Sequence, residues 1–161
     1  MFNLKAEFYL KIIFLFSFIA LVSAFFIEYA LGHQPCNLCL IERIPYGLSI
    51  MIIMAIFLIK KNQKFLVLLL ILIFVFSFSI SFYHYGIEQG FFKESFVCGV
   101  KNLSESITKE DLLKQLSEKT ISCRDVTFRI FGLSLTSINI VISLLFIITL
   151  LNIFNKYEKN R

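Results

Sequence analysis

The stretch "FLVLLLILIFVFSFSISFYHY", residues 65–85, decides the fold class: 21 consecutive residues with no acid, lysine or arginine among them. As a helix it would rise about 32 Å, enough to cross a hydrocarbon core about 30 Å thick. No soluble domain of ordinary size needs an element this long and this apolar. Working outward, three more such runs appear, so that candidate spans cover about 12–30, 41–59, 65–85 and 132–154, with the second helix starting around Cys39. Each must be helical, because lipid offers no partner to a backbone amide or carbonyl. "KKNQK" at 60–64 is a tight polar break that makes the second and third spans an antiparallel hairpin. Composition agrees: of 161 residues 58% are hydrophobic and mean hydropathy is +0.80, too apolar for a polar skin around a soluble core. The net charge of +5 does not indicate nucleic acid, since the basic residues form no stripe on a soluble element.

The basic residues instead assign sides. Lys5, Lys11, Lys60, Lys61, Lys64, Lys156, Lys159 and Arg161 fall on one side of a four-span layout, opposed only by Glu7 and Glu158, whereas 86–131 holds seven basic and seven acidic residues. The positive-inside rule then places both termini and the 60–64 turn in the cytoplasm, and the loops at about 31–40 and 86–131 on the exported side. Tyr9, Tyr29, Tyr46, Tyr83, Tyr85 and Tyr157 lie near span ends, where an amphipathic ring favours the interface. A rival reading makes residues 1–24, ending in "LVSA", a cleaved signal peptide. The apolar run continues past that point to Ile27 and the basic start is weak, which argues for a retained span. The expected architecture is an all-α membrane bundle of four helices with two exported loops. The second loop is long, and its "TKEDLLKQLSEKT" (108–120) reads as a short amphipathic helix capped by Thr108, with Glu110 and Asp111 in its first turn and Leu112, Leu113 and Leu116 on one face.

All four cysteines, Cys36, Cys39, Cys98 and Cys123, fall in the exported loops, where disulfides persist. Their spacing suggests Cys36 with Cys39 and Cys98 with Cys123, although four cysteines allow three pairings. The first pair stands in "GHQPCNLCLIERIPYG" (32–47), at the lip of the second span. A C-x-x-C closes a ring too small to constrain the unfolded chain much, so it is a poor staple and a common redox couple. The helix N-terminus and Arg43, one turn beyond Cys39, would both favour a thiolate there. Glu42 opposes them unless it pairs with Arg43 or handles protons. Zinc is disfavoured because the usual site needs a second close cysteine pair, and haem attachment because Leu40, not histidine, follows Cys39; no metal is expected. Cys98 and Cys123, taken alone, would read as a staple across a long loop. Exported thiols at a membrane lip need an electron acceptor, and membrane quinone is the nearest large two-electron pool. Arg43 could hydrogen-bond a quinone carbonyl.

"PCNLCLIERIPYG" (35–47), "YHYGIEQGFF" (83–92) leading to Cys98, and "CRDVTFRIFGLSLTSIN" (123–139) together resemble the disulfide bond formation protein B (DsbB) family of bacterial inner-membrane thiol:quinone oxidoreductases, over nearly the whole chain. The resemblance implies one four-helix membrane domain over 1–161. It implies that Cys36–Cys39 passes electrons to ubiquinone or menaquinone, with Cys39 nearest the ring, and that Cys98–Cys123 oxidises a periplasmic thioredoxin-like partner resembling DsbA. It implies quinone contacts for Arg43 and His84, with Glu42 beside them where many relatives carry glutamine. "GFF" at 90–92 stands where many relatives have tryptophan, which this chain lacks. Two other readings compete. Vitamin K epoxide reductase relatives place their loop cysteines before the C-x-x-C, the opposite of the order here. A disulfide-stapled, non-enzymatic membrane scaffold would keep both disulfides inert and reduce no quinone.

Overall fold

The computed structural model describes residues 4–59, 62–93, 98, 122–124, 129–130 and 132–159. The amphipathic segment expected at 108–120 lies outside them. Four long helices dominate: α1 (Leu4–Tyr29), α2 (Asn37–Leu58), α3 (Gln63–Glu88) and α4 (Leu135–Lys159). All four are long and apolar enough to cross a membrane, so the chain is a multi-pass membrane protein. At 26, 22, 26 and 25 residues they are about 33–39 Å long. The first helix begins eight residues before the apolar run expected at 12, because hydropathy marks the lipid-facing part whereas helical hydrogen bonding continues into the polar flank. The fourth begins at Leu135, not 132. The residues before it form a two-residue-per-strand hairpin, β1 (Arg129–Ile130) with β2 (Leu133–Ser134), paired Arg129 to Ser134 and Ile130 to Leu133. Gly132 turns it at φ +83°, a conformation that costs glycine nothing.

Packing follows chain order: α1 lies on α2, α2 on α3, and α3 most extensively on α4, while α1 and α4 barely touch. The apolar core joins Leu10 and Ile13 of α1, Ile53 and Ile56 of α2, Val67, Leu70 and Phe74 of α3, and Phe146, Leu150 and Ile153 of α4. Phe74 and Phe146 meet edge to face at 5.0 Å. Outside this core, long apolar side chains such as Phe18, Met51, Phe76 and Val141 are exposed, as lipid-facing positions should be. Between the helices the contacts switch to small polar residues. Ser17 of α1 meets Ser49 of α2 at 3.1 Å, and Ser77 of α3 meets Ser143 of α4 at the same distance; all four are fully buried. Small residues let backbones approach and share a hydrogen bond where lipid offers none.

Helix ends shape the site. Cys36 caps α2: its sulfur accepts the Cys39 N–H at 3.2 Å, with Pro35 just outside the helix. Pro45 lies buried inside α2 and cannot donate to the Ile41 carbonyl. The C-terminus of α3 closes in a Schellman arrangement. Gly90, at φ +78°, donates to the Ile87 carbonyl at 3.0 Å, and Phe91 donates to the Gly86 carbonyl at 2.8 Å. This reversal lays the Phe92 ring on Tyr83, with centroids 5.7 Å apart, and over Gly86, where a Cβ would meet Phe92 at 2.1 Å. At this end of α3 Ile87 packs with Cys36 and Leu38 at the start of α2.

Candidate functional site

Cys36 and Cys39 form one disulfide and Cys98 and Cys123 the other, with Cα separations of 5.1 and 5.5 Å. The two are neighbours: Cys36, Cys98 and Cys123, each at most 6% exposed, pack in one cluster with Leu38 and Ile87, and Cys39 lies against it. The start of α2, the end of α3 and the exported segments carrying Cys98 and Cys123 thus bring the two disulfides together at one buried patch, separate from the main core.

Cys39 faces the other way. It lines a cavity of about 270 Å³ between α1, α2 and α4, together with Glu42, Arg43 and Tyr46 of α2, Ala24 of α1 and Asn139 of α4. The remaining wall is mostly apolar, with Leu21, Ile27, Ile138 and Ile142 among its residues. The cavity occupies the gap where α1 and α4 hardly touch. Neither Cys36 nor His84 is among its lining residues.

Arg43 is held from α1. It pairs with the Glu28 carboxylate, donates to the Ala24 carbonyl at 3.5 Å and lies 5.4 Å from the Phe25 ring centre. Sequence spacing directs its guanidinium toward Cys39; the fold supplies Glu28 as its ion-pair partner. Both ions are about one-fifth exposed, so the pair is largely desolvated while Arg43 still reaches the cavity wall.

Glu42 does not pair with Arg43. Its Oε1 accepts from His84 Nδ1 at 2.9 Å and its Oε2 accepts from Asn139 Nδ2 at 3.3 Å. Asn139 is a hub: it also donates to Ser81 at 2.7 Å, and its carbonyl oxygen accepts from the Tyr46 hydroxyl and from Ser143 at 3.4 Å. Across the imidazole, His84 Nε2 lies 3.6 Å from the Cys36 sulfur. Glu88, one turn along α3, brings a second carboxylate to 3.9 Å from Nε2 and accepts from Thr136 at 2.7 Å. Among the described residues no buried side-chain nitrogen or oxygen lacks a partner, the condition for keeping such a network inside a bundle.

The sulfurs of Cys36 and Cys39 and a His84 ring nitrogen lie within 4.8 Å of one another. These are soft and borderline donors, but while the disulfide stands its sulfurs bond each other and offer no thiolate. The sequence reading singles out the four cysteines, Glu42, Arg43 and His84. It passes over Asn139, Thr136 and Glu88 and gives Glu28 no partner. Their signal was present: polar and ionisable residues inside or at the ends of spans.

A multi-pass membrane protein with two adjacent disulfides, one of them a C-x-x-C at the wall of an interhelical cavity, belongs to the class built for thiol–disulfide exchange at a bilayer. Residues 6–153 match the family Disulfide bond formation protein DsbB, and the chain belongs to that family, whose activity is that of a membrane disulfide oxidoreductase. It is also similar to the "Uncharacterized protein RP370" of Rickettsia prowazekii (strain Madrid E), at 27% identity over 136 residues, covering 83% of this chain and 79% of that protein.

Proposed function

We propose that residues 1–161 act as one DsbB-like domain of a bacterial inner membrane that reoxidises a periplasmic, thioredoxin-like dithiol oxidase resembling DsbA and passes the electrons to ubiquinone or menaquinone. Both termini are cytoplasmic and the cysteine loops periplasmic in this reading, which the lysine distribution supports. The observation that carries the reading is the position of the Cys36–Cys39 disulfide between two surroundings: Cys36 packs with Cys98 and Cys123, and Cys39 lines the cavity. Electrons entering at the second pair would therefore pass between packed neighbours before reaching the cavity.

The cavity suits a quinone head group. Its volume lies just below the range of about 300–1,000 Å³ usual for small-molecule sites, and apolar walls with a few convergent polar groups are the usual lining. Arg43 is the donor for a carbonyl oxygen, and Glu42, with its own oxygens held by His84 and Asn139, stands at the same wall. The sparse contact between α1 and α4 offers a lipid-soluble molecule a way in from the bilayer. A bound quinone supplies an acceptor for two electrons and two protons. The chain's own part is to keep the Cys39 sulfur at the cavity wall, to hold Arg43 in place through Glu28, and to exchange disulfides behind it.

The test is quinone reduction by the purified protein given a reduced dithiol donor. Quinol should form with the wild type and fail to form with Cys39→Ala. With Cys123→Ala, Cys98 should trap a mixed disulfide with the donor. A staple would behave otherwise: turnover that survives without Cys98 and Cys123, and no trapped species, would remove the relay.

A further inference from the structure

The exported end of the cavity is lined by the segment between α1 and α2. His33, Gln34 and Pro35 belong to the same wall as Cys39, Glu42 and Arg43. A helix cap puts His33 there. Gly32, at φ +70°, reverses the chain at the end of α1, and the His33 N–H donates to the Ile27 carbonyl at 3.2 Å. Ile27 lines the cavity too, and Pro35, two residues beyond His33, restricts the segment from the other side. His33 is half-buried, so it borders both the cavity and the solvent of the exported surface.

The opposite end is apolar. Phe16, on the cavity wall, meets Phe146 edge to face at 5.5 Å, and beyond them Leu10, Ile13, Ile53, Phe74 and Leu150 fill the bundle. Residues 12–27, 47–58, 65–82 and 137–155, the inner parts of the four helices, include no Asp, Glu, His, Lys, Arg, Cys or Tyr. A proton that reaches the cavity by way of titratable side chains therefore enters from the exported end. On the wall itself, Arg43 stays charged and is paired with Glu28, and Glu42 has one oxygen on His84 and the other on Asn139. Imidazole is the side-chain type suited to exchanging a proton near neutral pH, and His33 is the histidine on this wall.

We propose that His33 is the residue through which a proton from water on the exported side reaches a quinone in the cavity. The proposal rests on the quinone reading above and supplies a proton route for it. Closing the Cys36–Cys39 bond releases two electrons and two protons, and reducing the ring to the quinol takes up two of each. Cys39, at the wall, gives its proton to one ring oxygen. His33 gives a proton to the other oxygen and takes its replacement from exported-side water, into which the Cys36 proton is released. Electrons and protons then balance, and no proton crosses the membrane.

Two measurements on the full-length protein test this route. The first needs no electron transfer. Carbethoxylation of His33 by diethyl pyrocarbonate is followed by mass spectrometry in the oxidised wild type, with and without a ubiquinone that carries one prenyl unit. With that quinone at about ten times its dissociation constant, the rate should fall at least about fivefold. The second mixes reduced protein with the same quinone at saturation and follows quinol by absorbance over a single turnover. His33→Ala should slow quinol formation about 100-fold, the lower end for a positioned acid. Imidazole added to the buffer should recover at least about tenfold of that loss, because a diffusible donor replaces the missing one. His33→Gln hydrogen-bonds but does not titrate, and should be as slow as His33→Ala; circular dichroism checks that the helices of both variants are intact. Three results would each overturn the proposal: a His33 that quinone does not protect, a rate within about twofold of wild type in either variant, and a loss that imidazole does not relieve. A wild type that formed no quinol would bring down the quinone reading as well, whereas normal wild-type turnover beside indifferent His33 variants sinks the proton route alone.

Discussion

Arg43→Met separates what the cavity needs from what the bundle needs. From spacing alone Arg43 has one task, at the quinone. The structure adds a second, because its guanidinium ties α2 to Glu28, Ala24 and Phe25 of α1. Methionine keeps length and apolarity and removes the donor fork. Losing a charge-assisted hydrogen bond costs roughly 1.5–3 kcal/mol, and losing the cation–π contact roughly 0.5–1 kcal/mol. The Glu28 carboxylate, about one-fifth exposed, keeps some hydration, so its stranding is softened relative to a fully buried ion, for which breaking a pair costs about 3–5 kcal/mol. A destabilisation of about 2–4 kcal/mol follows. Glu28→Gln placed on Arg43→Met removes the stranded charge and should restore about 1–2 kcal/mol, a coupling that a double-mutant cycle reads directly. The assay is reversible unfolding in detergent followed by helical circular dichroism, with quinone KM measured on the same preparations. KM should rise about 10- to 150-fold in Arg43→Met, the equivalent of one lost charge-assisted hydrogen bond. It should rise much less in Glu28→Gln, which keeps the guanidinium. Stability within about 0.5 kcal/mol of wild type in Arg43→Met, with no coupling to Glu28, would refute the reasoning.

Two further predictions test the polar interior. Asn139→Leu removes the partner of Glu42, Ser81 and Tyr46 together and should cost about 2–4 kcal/mol, since each buried group left unsatisfied costs about 1–3 kcal/mol; the same unfolding assay measures it, and a loss under about 1 kcal/mol would mean that the hub is dispensable. Ser77→Ala with Ser143→Ala should be nearly neutral, within about 0.6 kcal/mol, because both members of an interhelical hydrogen bond are removed and the Asn139 oxygen that Ser143 also reaches keeps the Tyr46 hydroxyl; a large loss would show that the pair holds α3 to α4 in its own right.

Four spans were legible in the sequence because lipid leaves a backbone one local solution, and apolar runs of some 20 residues report it directly. The helix ends were less so: hydropathy stops at the lipid boundary, whereas α1 continues back to Leu4 and the hairpin at Arg129–Ser134 precedes α4. The C-x-x-C with Glu42 and Arg43 was legible too, since its members are adjacent in sequence and lie at the start of one helix. Tertiary structure alone decided which neighbour each of them meets. Arg43 finds Glu28, fifteen residues back across a turn, and Glu42 finds His84 and Asn139 from two other helices. The same holds for the two sulfurs of the motif. Three residues apart and chemically alike on paper, they are made unlike by packing: Cys36 lies under the reversed end of α3 beside Cys98, Cys123 and His84, while Cys39 lies at the cavity between α1 and α4. A side chain's periodicity along one helix specifies the face it occupies, but the chemistry of that face depends on which helix is laid against it, and that is settled only when all four pack.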